Sequence, residues 1–248
     1  MLHFCSLVKE HNKVALTGEC ADEIFGGYPW FHKEECFRAH TFPWTMDLEA
    51  RKVLLKDDFL DYLQMDEYVK ETYERSVAET PALSEDSPTE ARRREISYLN
   101  LRWFMQTLLN RMDRASMYSS LEARVPFADH RIMEYVWTVP WDMKTRDGLV
   151  KNLLRQSGKG LLPDDILFRR KSPYPKTYDT NYEKLLTSRV LEIMNDSSSP
   201  VMQFLDRKKL ETFLQNPSDY GKPWYGQLMA GPQMLAYILQ IDDWMKAY

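Results

Sequence analysis

The residues best placed for chemistry lie in one short run, Thr17-Gly18-Glu19-Cys20-Ala21-Asp22-Glu23, between an apolar triplet and the pair Gly26-Gly27. A strand end, a glycine and a helix start in succession leave backbone N–H groups free and aimed at one spot, which favours an anion or a nucleotide. Gly18 has no side chain to hold a ligand off the backbone. Glu19, Asp22 and Glu23 would repel phosphate if nothing intervened. A Mg²⁺ ion between Asp22 and phosphate oxygens would turn that repulsion into a clamp, leaving Glu19 as a general base with a tuned pKa. An acidic first turn that complements the helix dipole is the plainer reading. Spacing alone leaves the two open.

Two basic sets could meet such an anion. Arg111-Met112-Asp113-Arg114 and Glu122-Ala123-Arg124-Val125-Pro126-Phe127 offer Arg111 and Arg124, and a guanidinium fork binds phosphate or carboxylate through two bonds. An internal ion network of Arg111, Asp113, Arg114, Glu122 and Arg124 accounts for the same charges. Arg169-Arg170-Lys171-Ser172-Pro173 could reach over a polyphosphate with Lys171 as a point charge, or be a solvated loop. Lys151 is a surface lysine unless an anion lies near it. His3, His11, His32, His40 and His130 form no ligand pair, which disfavours zinc. Cys20 sits among carboxylates that should raise its pKa and blunt it as a nucleophile.

These side chains need elements to hold them. Residues 2–10 read as a helix, Val14-Ala15-Leu16 as a strand buried on both faces of a parallel sheet, and Ala21-Asp22-Glu23-Ile24-Phe25 as a turn or two of helix stopped by Gly26-Gly27. A single parallel strand lacks ladder partners, so the chain is expected to be a fragment whose other strands lie elsewhere. Residues 47–79 read as helical. Ser87-Pro88-Thr89-Glu90 combines an N-cap hydroxyl, a first-turn proline and a glutamate at N3, the makings of a capping box. The helix it starts should run to about Ser119, with Leu101, Met105, Leu108 and Met112 as one apolar stripe and Ile96, Leu99 and Trp103 as another. Further helices are predicted over 132–139, 148–157, 182–195, 208–215 and 233–247, with a loop at Asp196-Ser197-Ser198-Ser199-Pro200.

Composition narrows the class. With 44% apolar and 28% charged residues, the 248-residue chain reads as globular and not disordered. Only nine glycines leave too few turn residues for long strand arrays, so helix should dominate. A net charge of −4 argues against a nucleic-acid module, whose affinity rests on clustered positive charge. Cys5, Cys20 and Cys36 are odd in number and lack zinc-ligand spacing, which suits a reducing compartment. Without a signal peptide or a run of roughly 20 apolar residues, a cytoplasmic location and no membrane partner are expected.

Val14-Ala15-Leu16-Thr17-Gly18-Glu19-Cys20-Ala21-Asp22-Glu23-Ile24-Phe25-Gly26-Gly27-Tyr28 closely resembles the Ser/Thr-Gly-Glu-x-x-Asp-Glu-x-Phe-Gly-Gly-Tyr motif of the glutamine-dependent asparagine synthetases. Asn110-Arg111-Met112-Asp113-Arg114-Ala115-Ser116-Met117, continued by Leu121 to Phe127, is similar to that family's second signature. Residues 151–155 and Arg169-Arg170-Lys171 follow in the family's order. The resemblance implies a predominantly α chain with a remnant parallel strand, the C-terminal part of an α/β domain of ATP pyrophosphatase type, filling residues 1–248. It also implies a ligase: the aspartate side-chain carboxylate attacks the α-phosphate of ATP, pyrophosphate leaves, and ammonia from glutamine aminates β-aspartyl-AMP. Carried onto this chain, Thr17, Gly18 and Arg124 contact the nucleotide, Asp22 holds Mg²⁺ on the pyrophosphate, and Glu19 serves adenylation or amination as a base. Lys171 would stabilise developing charge, with Lys151 and Arg111 in support. The partners implied are aspartate, ATP, glutamine-derived ammonia and the N-terminal remainder of the parent enzyme, with a homodimer compatible.

Two family features do not occur in these residues. One is the Ser-Gly-Gly-x-Asp-Ser pyrophosphate loop; the other is the glutaminase domain with its cysteine after the initiator Met, where Leu2 stands here. The chain alone is therefore expected neither to hydrolyse glutamine nor to make asparagine. Relatives that adenylate other carboxylates, such as β-lactam synthetases and lasso-peptide cyclases, share the acidic loop and the lysine. The alternative from another class is a non-catalytic helical interaction module; a pyrophosphate loop upstream of Met1 would favour the enzyme.

Overall fold

The computed structural model describes residues 1–170, 179–215, 217, 222–224, 227–229 and 231–248. They divide into two units, residues 1–38 with 74–171 and residues 39–73 with 172–248, one boundary falling inside the helix Met65–Ala78.

In the first unit, α1 (Leu2–Lys9) leads through a turn into β1 (Val14–Leu16) and then α2 (Ala21–Ile24). α2 stops where Gly26 adopts φ +69°, a conformation that side-chain-bearing residues resist. Ser87 caps α3 (Pro88–Leu99), its Oγ accepting the Glu90 N–H at 3.3 Å. The long helix expected from there is interrupted by a turn of π-helix, Asn100–Phe104, before α4 (Met105–Tyr118). Asn100 is fully buried in that turn. Its amide donates to Ile96 O at 2.8 Å and its Oδ1 accepts from Trp30 Nε1 at 3.2 Å.

The chain reverses after α4, with Leu121 N donating to Ser116 O at 2.9 Å, and enters β2 (Glu122–Arg124). β2 pairs in parallel with β1, Ala15 opposite Ala123 and Leu16 opposite Arg124. Two strands therefore replace the single remnant expected from sequence, and the ladder partner comes from within the chain. Burial on both faces does not follow: Leu16 is 74% exposed, because two three-residue strands form a sheet too narrow to enclose it. α5 (His130–Thr138), α6 (Trp141–Lys144) and α7 (Asn152–Ser157) follow, with short helices at Glu34–Arg38 and Asp164–Leu167 in the same unit. α7 starts later than the predicted 148, since Asp147 and Gly148 take positive φ in a turn closed by Arg146 and Leu149. A core of Ala21, Ile24, Phe25 and Val136, backed by Ile132, Leu153 and Leu154, holds α2 against α5 and α7.

In the second unit the expected helical stretch is broken into Glu49–Lys52, Asp57–Leu63 and the start of Met65–Ala78, with Gln64 at φ +46° marking the last break. α8 (Thr180–Asn195), α9 (Arg207–Gln215) and α10 (Gly231–Ala247) agree with the periodicity of the sequence. They bury Val190, Leu210 and Leu235 around Ala50 and Leu54. A short antiparallel pair, β3 (Lys222–Trp224) and β4 (Gln227–Met229), precedes α10. No helix among the described residues is long and apolar enough to cross a membrane.

Candidate active site

Backbone geometry sets the turn after β1. Thr17 N donates to Arg124 O at 2.9 Å, extending the parallel ladder by one bond. The bend into α2 falls on Cys20, at φ +71°. Gly18 is not the strained residue; a Cβ there would meet nothing within 4 Å, so its open side is room for a ligand. Gly27 is under the opposite constraint. A Cβ at Gly27 would lie 1.8 Å from Asp22 Oδ1, and Gly27 N donates to Asp22 O at 2.8 Å, so the chain doubles back against Asp22.

Two cations arrive from distant elements. The reversal after α4 lays β2 beside β1 and brings Arg111 of α4 to Glu19, with Arg111 Nη2 3.0 Å from Glu19 Oε1. Glu19 Oε2 is buried without a hydrogen-bond partner, and so is Thr17 Oγ1. Leu153 and Leu154 pack with Ala21 and Ile24, which draws the start of α7 toward α2. Lys151, at φ +56°, thereby places Nζ 3.0 Å from Asp22 Oδ1. Glu23 is almost wholly buried and accepts the Tyr28 hydroxyl at 2.7 Å.

The surroundings act on the titrating groups in this turn. Burial first, then the charges of Glu23 and Glu19, push the Cys20 thiol up to about 12. The direction agrees with the sequence reading, but burial outweighs the carboxylates; Cys20 stays a thiol and is no nucleophile. Burial and the Glu23 charge also hold the Tyr28 phenol far above its usual range.

Thr17, Gly18, Glu19, Asp22, Arg111 and Lys151 share this one place. Arg124 sends its side chain elsewhere, its Nε bonding Glu122 Oε1 at 2.8 Å with both groups largely exposed. Residues two apart point to the same face of a strand, which favours that pair; only the Arg124 carbonyl reaches the turn. The five-member ion network accordingly splits into Arg111–Glu19 and Arg124–Glu122, with Asp113 and Arg114 exposed. Lys171 lies outside the described residues. Tyr28 is the residue that sequence reasoning leaves out. It is locked by stacking on Trp30 at 4.3 Å, and its place at the end of the acidic motif was the available signal.

Among the described residues, no group of three or more His, Cys, Asp or Glu could hold a metal alone. Mg²⁺ ordinarily takes one or two carboxylates and fills its shell with phosphate oxygens and water. Asp22, its carboxylate in the turn that Gly18 leaves open, suits that shared mode of binding.

Residues 1–246 match the family model of asparagine synthase. Over 249 aligned residues the chain is 48% identical to the glutamine-hydrolysing asparagine synthetase 3 of Bacillus subtilis strain 168, covering 100% of this chain and 40% of that protein. Against asparagine synthetase 1 of the same strain, identity is 28% over 199 residues, 67% of this chain and 31% of the relative. A shorter stretch of 67 residues is 42% identical to the Rattus norvegicus enzyme, 26% of this chain and 12% of that one. The chain thus spans less than half the length of these curated relatives.

Proposed function

The chain belongs to the asparagine synthase family, and on that premise we propose that the turn of Thr17, Gly18, Glu19 and Asp22 binds Mg·ATP and serves ATP-dependent formation of asparagine from aspartate, within a longer enzyme. The observation that carries this reading is Glu19: one carboxylate oxygen is fixed by Arg111, while the other is buried and unbonded. A buried acceptor left open is costly unless a ligand fills it.

In the proposed reaction the aspartate side-chain carboxylate attacks the α-phosphorus of ATP and pyrophosphate departs. Ammonia then attacks the acyl carbon, AMP leaves, and the surplus proton passes to Glu19 Oε2. Thr17 Oγ1 donates to a phosphate oxygen, and the open side of Gly18 lets the nucleotide approach the backbone. Lys151 balances Asp22 and presents a cation to the leaving pyrophosphate. Mg²⁺, when bound through Asp22, supplies further neutralisation of phosphate charge. Lys171 and Arg124 keep their inferred parts as a stabilising cation and a nucleotide contact. The fold inferred is the C-terminal part of an ATP pyrophosphatase-type domain. Its N-terminal remainder brings the pyrophosphate loop and the ammonia, and the 248 residues alone are inactive. A cytoplasmic homodimer is compatible with this reading.

The full-length protein given ATP, Mg²⁺, aspartate and ammonium should yield asparagine, AMP and pyrophosphate in equal amounts. Release of ADP and phosphate, or turnover that ignores aspartate, would contradict the proposal.

A further inference from the structure

A second cluster of cations lies in the first unit, apart from the residues assigned above. Glu90, Arg93 and Arg94 of α3 face Trp137, Trp141 and Lys144 across a cleft with an empty volume of about 340 Å³, part of it open to solvent. Arg94 is fully engaged: its Nε and Nη2 bind Asp86 at 2.7 and 2.8 Å, and Nη1 donates to Trp137 O. Its two neighbours are not. Lys144 is only 6% exposed, yet it has no ion pair with a described residue, and its Nζ lies 6.0 Å from the Trp141 ring centroid. Arg93 lies over the same ring at 5.3 Å, and its Nε is buried without a hydrogen-bond partner. Glu90, the acid of the cleft, accepts the Ser87 hydroxyl at 3.3 Å; its charge acts on Arg93 but forms no ion pair with it.

Burial costs each of these cations hydration, and cation–π attraction to the shared indole offsets only part of that cost. The cost of burial shows in Lys144, whose ammonium is held down to about 8 by burial first and the Arg94 charge second. An anion in the cleft that both line would supply the partner each lacks. We propose that this cleft is a binding site for a small oxyanion, a phosphate or carboxylate group, held by Lys144 Nζ and Arg93 Nε against Trp141. The ring edge of Trp141 also stands 2.5 Å from where a Cβ on Gly26 would be, so the bound ion would steady the wall behind the Gly26–Gly27 turn.

The test is amine labelling of Lys144 in the full-length protein, read by peptide mass with chloride, inorganic phosphate or acetate at constant ionic strength. Saturable protection by phosphate or acetate, weakened roughly tenfold or more in Arg93→Gln, is the expected result. Stronger protection by phosphate identifies a phosphate ligand, and by acetate a carboxylate. The protecting salt should also raise the melting temperature of the wild type and not that of Lys144→Met. Labelling unaffected by either salt, or Lys144 already protected in chloride, would overturn the proposal even if the Lys144→Met variant fails to fold.

Discussion

Lys151 Nζ stands 3.0 Å from Asp22 Oδ1, with both side chains less than a quarter exposed. The ammonium comes from a residue in left-handed backbone conformation at the head of a helix whose leucines share a core with the helix of Asp22. Such a contact is preorganised before any ligand arrives. In the full-length protein Lys151→Met should lower ammonia-dependent asparagine formation by about 10²–10³-fold, as removal of a preorganised donor does, and Lys151→Arg should recover part of it. Unchanged steady-state kinetics would leave the pair a purely structural one.

Glu19→Gln keeps the shape of the side chain and its bond to Arg111 while removing the basic oxygen. Loss of a positioned general base costs about 10²–10⁴-fold, so asparagine output should fall by that order with the helical circular dichroism unchanged. Quantifying AMP and asparagine in the same reaction separates a failure of adenylation from one of amination.

The glycines of the turn should respond in opposite ways. Gly27→Ala drives a methyl against Asp22 Oδ1, 1.8 Å away, and should destabilise the protein by roughly 1–3 kcal/mol. Gly18→Ala meets nothing in the protein itself, so its melting temperature should hold while the KM for ATP rises. Thermal melts paired with ATP titrations read both effects.

Several elements that frame this turn were legible in the sequence because their signals are local. The Ser87 cap, the strand before Thr17 and the glycine stop after α2 each follow from a few neighbouring residues. Long-range consequences were not. Glu122-Ala123-Arg124 carries charges at both ends and reads as an ion network, yet it is the parallel partner of β1. A three-residue strand has no periodicity to declare itself. Sequence could not show that the Arg124 side chain pairs with Glu122 on the same strand face, so that without a nucleotide it lies away from the turn. The π turn at Asn100–Phe104 depends on Asn100 reaching Trp30, a contact between residues 70 positions apart.

Asp242 of α10 gives the second unit a pH-dependent element. Burial opposes its ionisation, but Lys246 at 2.8 Å and Ser199 Oγ at 2.6 Å keep its pKa below the ordinary carboxylate value. A depressed folded-state pKa contributes stability that is present above the unfolded value, about 3.9, and is lost as pH falls through the lower folded one. Asp242→Asn should cost roughly 1–3 kcal/mol at neutral pH. In urea unfolding that deficit should shrink on acidification below the unfolded value; a deficit independent of pH would exclude the ionised carboxylate as its source.

The most direct measurement is a crystal structure of the full-length protein with Mg²⁺ and a non-hydrolysable ATP analogue. The phosphates should lie over Gly18, within hydrogen-bond reach of Thr17 Oγ1 and Lys151 Nζ, with the metal on Asp22. A nucleotide bound away from this turn, with Thr17 and Glu19 facing only solvent or protein, would contradict the account.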